Sequence, residues 1–351
     1  MGGNLKPRNV VITGAGGVGK TTLSAAIGIA AARRGLPTLV VTVDPAKRLA
    51  DALGLDQLGH DPTPNPREPN LWAAMLDATA SWERIVERHA PPDVAERLTE
   101  NEFFRAIADR FPASQSYAAA EEMANYLEAN VWEVVVTDTP PARGGIEFFT
   151  APSDIRDLIG GRLLRWLTGA RIPGRKTFYV LAGRPVLRVA DAVLGTDLLA
   201  RIAEFLLDLR TTYDGLTRRA REIERYFQTA SIAVVTTADP GPVREAARFF
   251  RELPEVAARP SAVVFNRTLP FEWQEPSVHR PPSAGATAAR LAENLARWGG
   301  ESHRQAETRQ EFGARYRTEV VEVPWMSRPP ETSDDLVELA TKELLEALRL
   351  Q

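Results

Sequence analysis

Residues 14–21 have the residue types and spacing of a phosphate-binding loop. They read Gly-Ala-Gly-Gly-Val-Gly-Lys-Thr and match the pattern G-x-x-x-x-G-K-[ST], directly after an apolar run and before an alanine-rich helical stretch. The glycines let backbone N–H groups surround a phosphate, Lys20 brings a positive charge to the β- and γ-phosphate oxygens, and Thr21 offers a hydroxyl to Mg²⁺. This segment therefore predicts a site for a nucleoside triphosphate with Mg²⁺.

Two carboxylates stand at the ends of apolar runs, where a parallel sheet presents ligand groups. Asp138 closes the run 134–138, and Asp44 follows the run 39–43. At these strand ends Asp138 is placed as a Walker B residue that holds the Mg²⁺ shell, and Asp44 is placed to orient a water in line with the γ-phosphate. The alternative for each aspartate is a helix cap or a turn residue, which is common for Asp before Thr or Pro.

A series of short apolar runs would position these groups. The runs are 9–13, 39–43, 71–76, 134–138, 231–236, 261–265 and 319–323. Continuous apolar strands that alternate with helical stretches are typical of a parallel sheet covered on both faces. The sequence therefore predicts an α/β fold with a doubly wound, mostly parallel sheet of about seven strands. The proline-rich segments 61–69 and 270–282 are predicted loops.

Two further regions carry apolar residues at helical spacing and predict an inserted helical subdomain. We expect the subdomain to comprise 81–127 plus 151–229, and the nucleotide-binding core to comprise 1–80 plus 128–150 plus 230–351. Its apolar stripes at 155–167 and 198–209, with Phe103, Phe104 and Phe111, either line a groove for a hydrophobic helix or pack on one another and on the sheet. A methionine count of only four favours packing.

Composition narrows the classes of function. The 43 basic and 46 acidic residues leave a net charge of −3, so binding of nucleic acid through broad electrostatics is not expected. The sequence has no cysteine, which excludes disulfides, cysteine nucleophiles, and thiolate sites for zinc or a metalloid. The four histidines lack ligand spacing. Since no apolar leader and no run long enough to span a membrane is present, the sequence predicts a cytoplasmic chain.

Three motifs in a fixed order give the sequence a specific resemblance. They are Gly-Gly-Val-Gly-Lys-Thr-Thr at 16–22, Asp-Pro-Ala-Lys-Arg-Leu at 44–49 and Asp-Thr-Pro-Pro at 138–141. Over nearly the whole chain the sequence resembles the ArsA and GET-pathway ATPases, a family of P-loop proteins. The segment from Asp44 is similar to the switch I of that family, and the segment from Asp138 is similar to its switch II in the bacterial ArsA-like subgroup.

The resemblance implies ATP and Mg²⁺ as cofactors and a specific set of contacts to them. The residues implied in phosphate binding are Gly16, Gly17, Val18, Gly19, Lys20, Thr21 and Thr22. Thr21 and Asp138 would serve Mg²⁺, and Asp44 would polarise the attacking water, with Lys20 as the second catalytic residue. Asn266 matches the adenine-reading asparagine of the family, since an amide both donates and accepts; its alternative is a strand-end turn residue. The loop 324–329 would cover the other side of the base.

The residue at position 15 departs from the family pattern. The deviant Walker motif of the family carries a second lysine there, which reaches the phosphates of the partner in a dimer, whereas this chain has Ala15. Arg48 and Arg143 lie in the switch segments and are the candidates to replace that charge.

Two functions therefore stay open at the level of the sequence. One is a Mg²⁺-dependent dimeric ATPase that couples its nucleotide state to a protein partner or client. The other is a nucleotide-bound regulatory or scaffold subunit with weak hydrolysis, paired with an ArsA-like paralogue. The implied partners are a second copy or such a paralogue, together with a hydrophobic-helix client or a membrane protein.

Overall fold

The computed structural model describes residues 7–44, 47–110, 112–140, 143–160, 204–274 and 286–351. These residues form two compact units. One, the sheet unit, lies within Met1–Leu76, Met123–Phe149 and Tyr226–Gln351, and the other, the helical unit, lies within Asp77–Glu122 and Thr150–Arg225.

The sheet unit is built on one eight-stranded sheet. The strands are β1 (Arg8–Gly14), β2 (Thr38–Thr42), β3 (Thr63–Pro64), β4 (Leu71–Met75), β5 (Val134–Asp138), β6 (Ser231–Thr236), β7 (Ala262–Thr268) and β8 (Glu319–Pro324). Their order across the sheet is β3-β4-β2-β5-β1-β6-β7-β8, and every pairing except β3 with β4 is parallel. The predicted α/β fold with a mostly parallel sheet is confirmed, and each of the seven predicted runs overlaps a strand.

The eighth strand, β3, was not predicted. It consists of two residues within the segment 61–69, which the sequence predicts as a loop, and it pairs antiparallel with β4 through Thr63 opposite Ala73 and Pro64 opposite Trp72. A proline is tolerated here because β3 lies at the edge of the sheet and needs hydrogen bonds on one side only. The prolines in 61–69 therefore led to the prediction of a loop where the structure has a short edge strand.

Twelve α-helices have both ends within the described residues. They are α1 (Lys20–Arg33), α2 (Arg48–Ala52), α3 (Ala78–His89), α4 (Pro92–Glu100), α5 (Glu102–Arg110), α6 (Pro112–Glu128), α7 (Arg143–Gly160), α8 (Tyr213–Gln228), α9 (Pro240–Glu252), α10 (Ala286–Tyr316), α11 (Ser333–Leu339) and α12 (Lys342–Ala347). Short 3₁₀ turns follow α9 at Leu253–Glu255 and β7 at Phe271–Gln274.

Helix α1 is apolar on every side. Residues 23–32 are all buried, and the helix packs against the sheet and against α11. Arg33, near its end, donates two hydrogen bonds to Glu68 (2.6 and 2.9 Å) and one to Asp334 in α11 (2.7 Å). A helix buried on all faces and tied at its last turn holds its first residues in a fixed place, and those residues are the end of the phosphate loop.

The helical unit contains a buried polar cluster. Glu121 in α6 is fully buried, and its Oε1 accepts hydrogen bonds from Arg88 Nη1 in α3 (2.8 Å) and Arg219 Nε in α8 (2.9 Å). Nearby in α3, Trp82 stacks against Tyr117 and donates its indole N–H to the Ser114 carbonyl (3.0 Å). The predicted apolar stripes are seen only in part: Ile155 is buried and Phe205 packs against Phe103, whereas Phe111 and residues 161–203 lie outside the described residues.

Candidate nucleotide site

The predicted site residues gather at the carboxyl ends of the central strands. Strand β1 ends at Gly14, and its neighbour β5 ends at Asp138, which lies opposite Ile12 in the register. On the far side of β5, Thr42 at the end of β2 lies directly opposite Asp138. In a parallel sheet these ends form the edge at which ligands bind, next to the point where the strand order reverses.

The phosphate loop between β1 and α1 depends on its glycines. Gly14, Gly17 and Gly19 have φ values of 142°, 76° and 97°, which L side chains rarely adopt. A Cβ atom at Gly14 would also overlap the carbonyl oxygen of Val235 in β6, and one at Gly19 would overlap the amide nitrogen of Asn266. Gly16 and Gly17 are exposed at the tip of the loop. The loop can therefore present backbone N–H groups close to a ligand.

Lys20 is buried and folded back onto its own loop. Its Nζ donates hydrogen bonds to the carbonyl oxygens of Gly14 (3.2 Å) and Ala15 (3.0 Å). Burial lowers the pKa of Lys20 from its ordinary value, against the opposing effect of the nearby Asp138 and Asp44 carboxylates. The ammonium group is thus held at the base of the loop next to two carboxylates.

Asp138 is buried and only half satisfied by its neighbours. Its Oδ2 accepts hydrogen bonds from the hydroxyls of Thr21 (2.7 Å) and Thr42 (3.0 Å), whereas its Oδ1 is buried without a hydrogen-bond partner among the described residues. Burial raises the pKa of Asp138 to about 6, although the two hydroxyls and Lys20 act in the opposite direction. An unpartnered carboxylate oxygen beside a threonine hydroxyl fits the oxygen ligands that Mg²⁺ prefers.

Thr42 was not among the predicted site residues. Its hydroxyl reaches Asp138 because β2 and β5 are neighbours in the sheet, and the same oxygen accepts a hydrogen bond from the Asp44 backbone N–H (3.2 Å). The available signal was a polar residue at the end of an otherwise apolar strand. Thr42 therefore links the carboxylate of Asp138 to the backbone of Asp44.

Asp44 lies just after β2 with its side chain mostly buried. Its Oδ2 is 3.3 Å from Nη1 of Arg48, the first residue of α2, whose side chain is 67% exposed. Arg48 therefore already faces a carboxylate of its own chain. The side chain of Arg143 lies outside the described residues.

Asn266 is brought to the phosphate loop from the far half of the chain. It lies in β7, is buried, and donates its amide N–H to the carbonyl oxygen of Val18 (2.8 Å). Its Oδ1 accepts a hydrogen bond from the backbone N–H of Arg267 (2.9 Å). In the predicted base-covering loop, the Trp325 side chain is exposed, and the Trp325 backbone N–H donates to the Thr268 carbonyl at the end of β7 (2.9 Å).

The remaining predictions concern metals and membranes. Across the described ranges, no group of three or more His, Asp or Glu side chains is arranged to hold a metal ion. None of the helices described is both long and apolar enough to cross a membrane.

Comparison with known proteins gives a consistent family. The family profile for anion-transporting ATPases (ArsA) matches residues 7–281. A protein of Halobacterium salinarum named "Putative arsenical pump-driving ATPase" is 33% identical over 156 residues, which is 42% of this chain and 24% of that protein. The "ATPase ASNA1 homolog" of Entamoeba dispar is 21% identical over 74% of this chain and 76% of that protein.

A third relative, the "ATPase get3" of Schizosaccharomyces pombe, is 26% identical over 43% of this chain and 45% of its own length. The chain thus covers less than half of the Halobacterium and Schizosaccharomyces proteins. The family match, by contrast, spans most of the chain and contains the phosphate loop, both carboxylates and Asn266. The chain therefore belongs to the anion-transporting ATPase (ArsA) family.

Proposed function

We propose that this chain is a Mg²⁺-dependent ATPase of the ArsA and GET type, which couples its nucleotide state to a protein partner. The observation that carries the proposal is the buried Asp138 carboxylate. Its Oδ2 accepts a hydrogen bond from the Thr21 hydroxyl, its Oδ1 has no hydrogen-bond partner in the part of the chain that the structure describes, and the positive charge of Lys20 acts on its pKa. Burying a carboxylate with hydroxyl partners alone is costly unless a cation completes the site.

The proposed roles follow from these positions. The backbone N–H groups of Gly16–Thr22 hold the phosphates, and the Lys20 ammonium moves from the Gly14 and Ala15 carbonyls to the β- and γ-phosphate oxygens. Thr21 and Asp138 hold Mg²⁺, which when bound neutralises charge on the phosphate oxygens. Asp44, whose carboxylate acts on the pKa of both Lys20 and Asp138, orients the attacking water.

Two alternatives concern the assembly. Residue 15 is a buried alanine, so this chain cannot supply the family's second lysine to a partner. That observation favours, as the second candidate function, a regulatory subunit with weak hydrolysis in a heterodimer with an ArsA-like paralogue. In the first candidate, a homodimer, either Arg143 supplies the charge or Arg48 does, and Arg48 would have to leave Asp44 to act on the partner. A hydrophobic-helix client or a membrane-protein partner is proposed for either assembly.

The test is steady-state ATP hydrolysis by the purified chain over a range of protein concentrations, with Mg²⁺ present. We expect the specific activity to rise with concentration and Lys20→Ala to lower turnover by about 10²–10³-fold, because the lysine stabilises charge on the transferred phosphoryl group. Lys342→Ala removes the same charge from an exposed side chain at the start of helix α12 and serves as the matched control, with activity unchanged.

Each outcome separates the proposals. Turnover that Lys20→Ala leaves unchanged would contradict the proposed site. ATP binding without turnover at any concentration would favour the regulatory subunit, and absence of ATP binding would refute both candidates.

A further inference from the structure

The amide of Asn266 is engaged by the phosphate loop. Its Nδ2 donates to the Val18 carbonyl oxygen at 2.8 Å, and its Oδ1 accepts from the Arg267 N–H at 2.9 Å. Val18 is 248 residues earlier in the chain, in the middle of the loop and two residues before Lys20. A side chain at the end of β7 thus fixes the direction of one peptide group of the loop.

The neighbouring residue in the loop supports the same contact. Gly19 adopts φ 97°, and a Cβ atom at this position would overlap the Asn266 amide nitrogen. The close approach of the amide therefore requires both the left-handed backbone and the missing side chain of Gly19. Because the peptide group is planar and trans, the N–H of Gly19 points opposite to the Val18 carbonyl, so the hydrogen bond from Asn266 fixes the direction of both.

We propose that Asn266 is a positioning residue that holds the phosphate loop in its ligand-ready shape, so that it contributes to binding of the triphosphate irrespective of the base. The inference rests on the proposed function, since it assumes that the loop binds a triphosphate. It differs from a base-reading role in one measurable respect. A contact to the base affects ATP alone, whereas a contact to the loop affects every triphosphate equally, including one that has no base.

Asn65 offers a matched control within the sheet unit. It is 7% exposed, against 8% for Asn266, and its Nδ2 likewise donates to a backbone carbonyl, that of Leu53, at 3.0 Å. Its Oδ1 likewise accepts from backbone N–H groups that follow it, those of Arg67 (2.9 Å) and Glu68 (3.2 Å). Asn65→Asp and Asn266→Asp therefore remove the same donor from the same kind of environment and introduce the same charge.

The experiment is calorimetric binding of ATP, GTP and inorganic tripolyphosphate, each with Mg²⁺, to the wild-type chain and both variants. We expect Asn266→Asp to weaken all three ligands by the same factor, about 10-fold or more, because the Val18 carbonyl loses its donor and meets a carboxylate instead. We expect Asn65→Asp to leave all three affinities unchanged although both variants lose stability in urea. Asn266→Ser, which adds no charge, should show the same uniform loss and is the deciding variant, because the carboxylate of Asn266→Asp beside the loop also repels any triphosphate.

Two results would overturn the inference. The first is an Asn266 variant that binds tripolyphosphate as the wild type does but has lost the preference for ATP over GTP, which would assign Asn266 to the base. The second is a wild type that binds ATP but not tripolyphosphate, because a loop held ready by the protein should not need the base. A wild type that binds none of the three ligands refutes the proposed function itself, and with it the inference, so the two failures are distinguishable.

Discussion

Asp138 in the sheet unit and Glu121 in the helical unit are both buried carboxylates, and they have different neighbours. Among the described residues of the sheet unit, the donors to Asp138 are the hydroxyls of Thr21 and Thr42, both on one of its oxygens. In the helical unit, Glu121 has two guanidinium donors, from Arg88 and Arg219. Burial raises the pKa of both carboxyl groups, and the arginines oppose this rise for Glu121.

The difference separates a binding group from a packing group. The guanidinium groups neutralise Glu121 within the unit, so its charge is already compensated and serves to hold α3, α6 and α8 together. The hydroxyls orient Asp138 but cannot neutralise it, and Lys20 only partly offsets the effect of burial on its pKa, so a bound cation would complete the compensation of its charge. Burial alone therefore does not identify a ligand group; the charge of its hydrogen-bond donors does.

The largest effect is expected at Glu121. Glu121→Gln keeps the shape of the side chain but leaves the buried Arg219 without its main counter-charge, which should lower the free energy of unfolding by about 3–5 kcal/mol. Urea unfolding followed by circular dichroism measures the change. Combining Glu121→Gln with Arg219→Met should recover most of the loss, since no buried charge is then left unpaired. A double variant as unstable as the single one would contradict this account.

Asp138→Asn is expected to act in the opposite direction. Without Mg²⁺ or nucleotide the variant should be more stable than the wild type at pH 8, by up to about 3 kcal/mol, because it removes a buried charge with neutral partners. Since the folded pKa of about 6 lies above the ordinary 3.8, the wild type loses stability as pH rises through this interval. The advantage of the variant should therefore grow from pH 3.8 to about 6 and stay constant above.

Unfolding in urea at several pH values measures the stability of the variant. ATP binding in the presence of Mg²⁺, measured in parallel, tests its affinity for the ligands. Asp138→Asn should bind Mg²⁺ and ATP more weakly, whereas Glu121→Gln should bind them as the wild type does. If Asp138→Asn were less stable than the wild type at pH 8, the charge of Asp138 would stabilise the fold as that of Glu121 does, and the two carboxylates would not differ in role.

The smallest effect is expected at Arg88. Its side chain is 46% exposed, against 6% for Arg219, although both donate to the same oxygen of Glu121. Arg88→Met should cost about 1 kcal/mol or less, because solvent screens its ion pair, whereas Arg219→Met should cost several times more. Equal losses in the two variants, measured by urea unfolding, would show that exposure does not rank the two donors.

The local part of this structure could be predicted from the sequence, and the part made by distant residues could not. Each predicted run became a strand because an apolar run of five or six residues is too short for a buried helix and fits a buried sheet. The strand ends then brought Thr21 within 2.7 Å of Asp138. Thr42 was missed because its role depends on β2 lying beside β5.

The contact of Asn266 with Val18 and that of Glu121 with Arg219 were missed for a related reason. They join residues 248 and 98 positions apart, and no pattern in the sequence indicates which of many polar side chains will meet. A motif specifies the residues of a site, whereas the packed fold specifies what each of them touches.

The burial of α1 has a consequence for genetics. This helix begins at Lys20, and its outer face is covered by α11, with Leu336, Leu339 and Leu344 in the shared core. A stop codon near residue 330 would remove α11 and α12 and expose a helix that has no polar face. Such an allele would have the phenotype of a phosphate-loop mutant, the loss of nucleotide binding, although every codon of that loop would be intact.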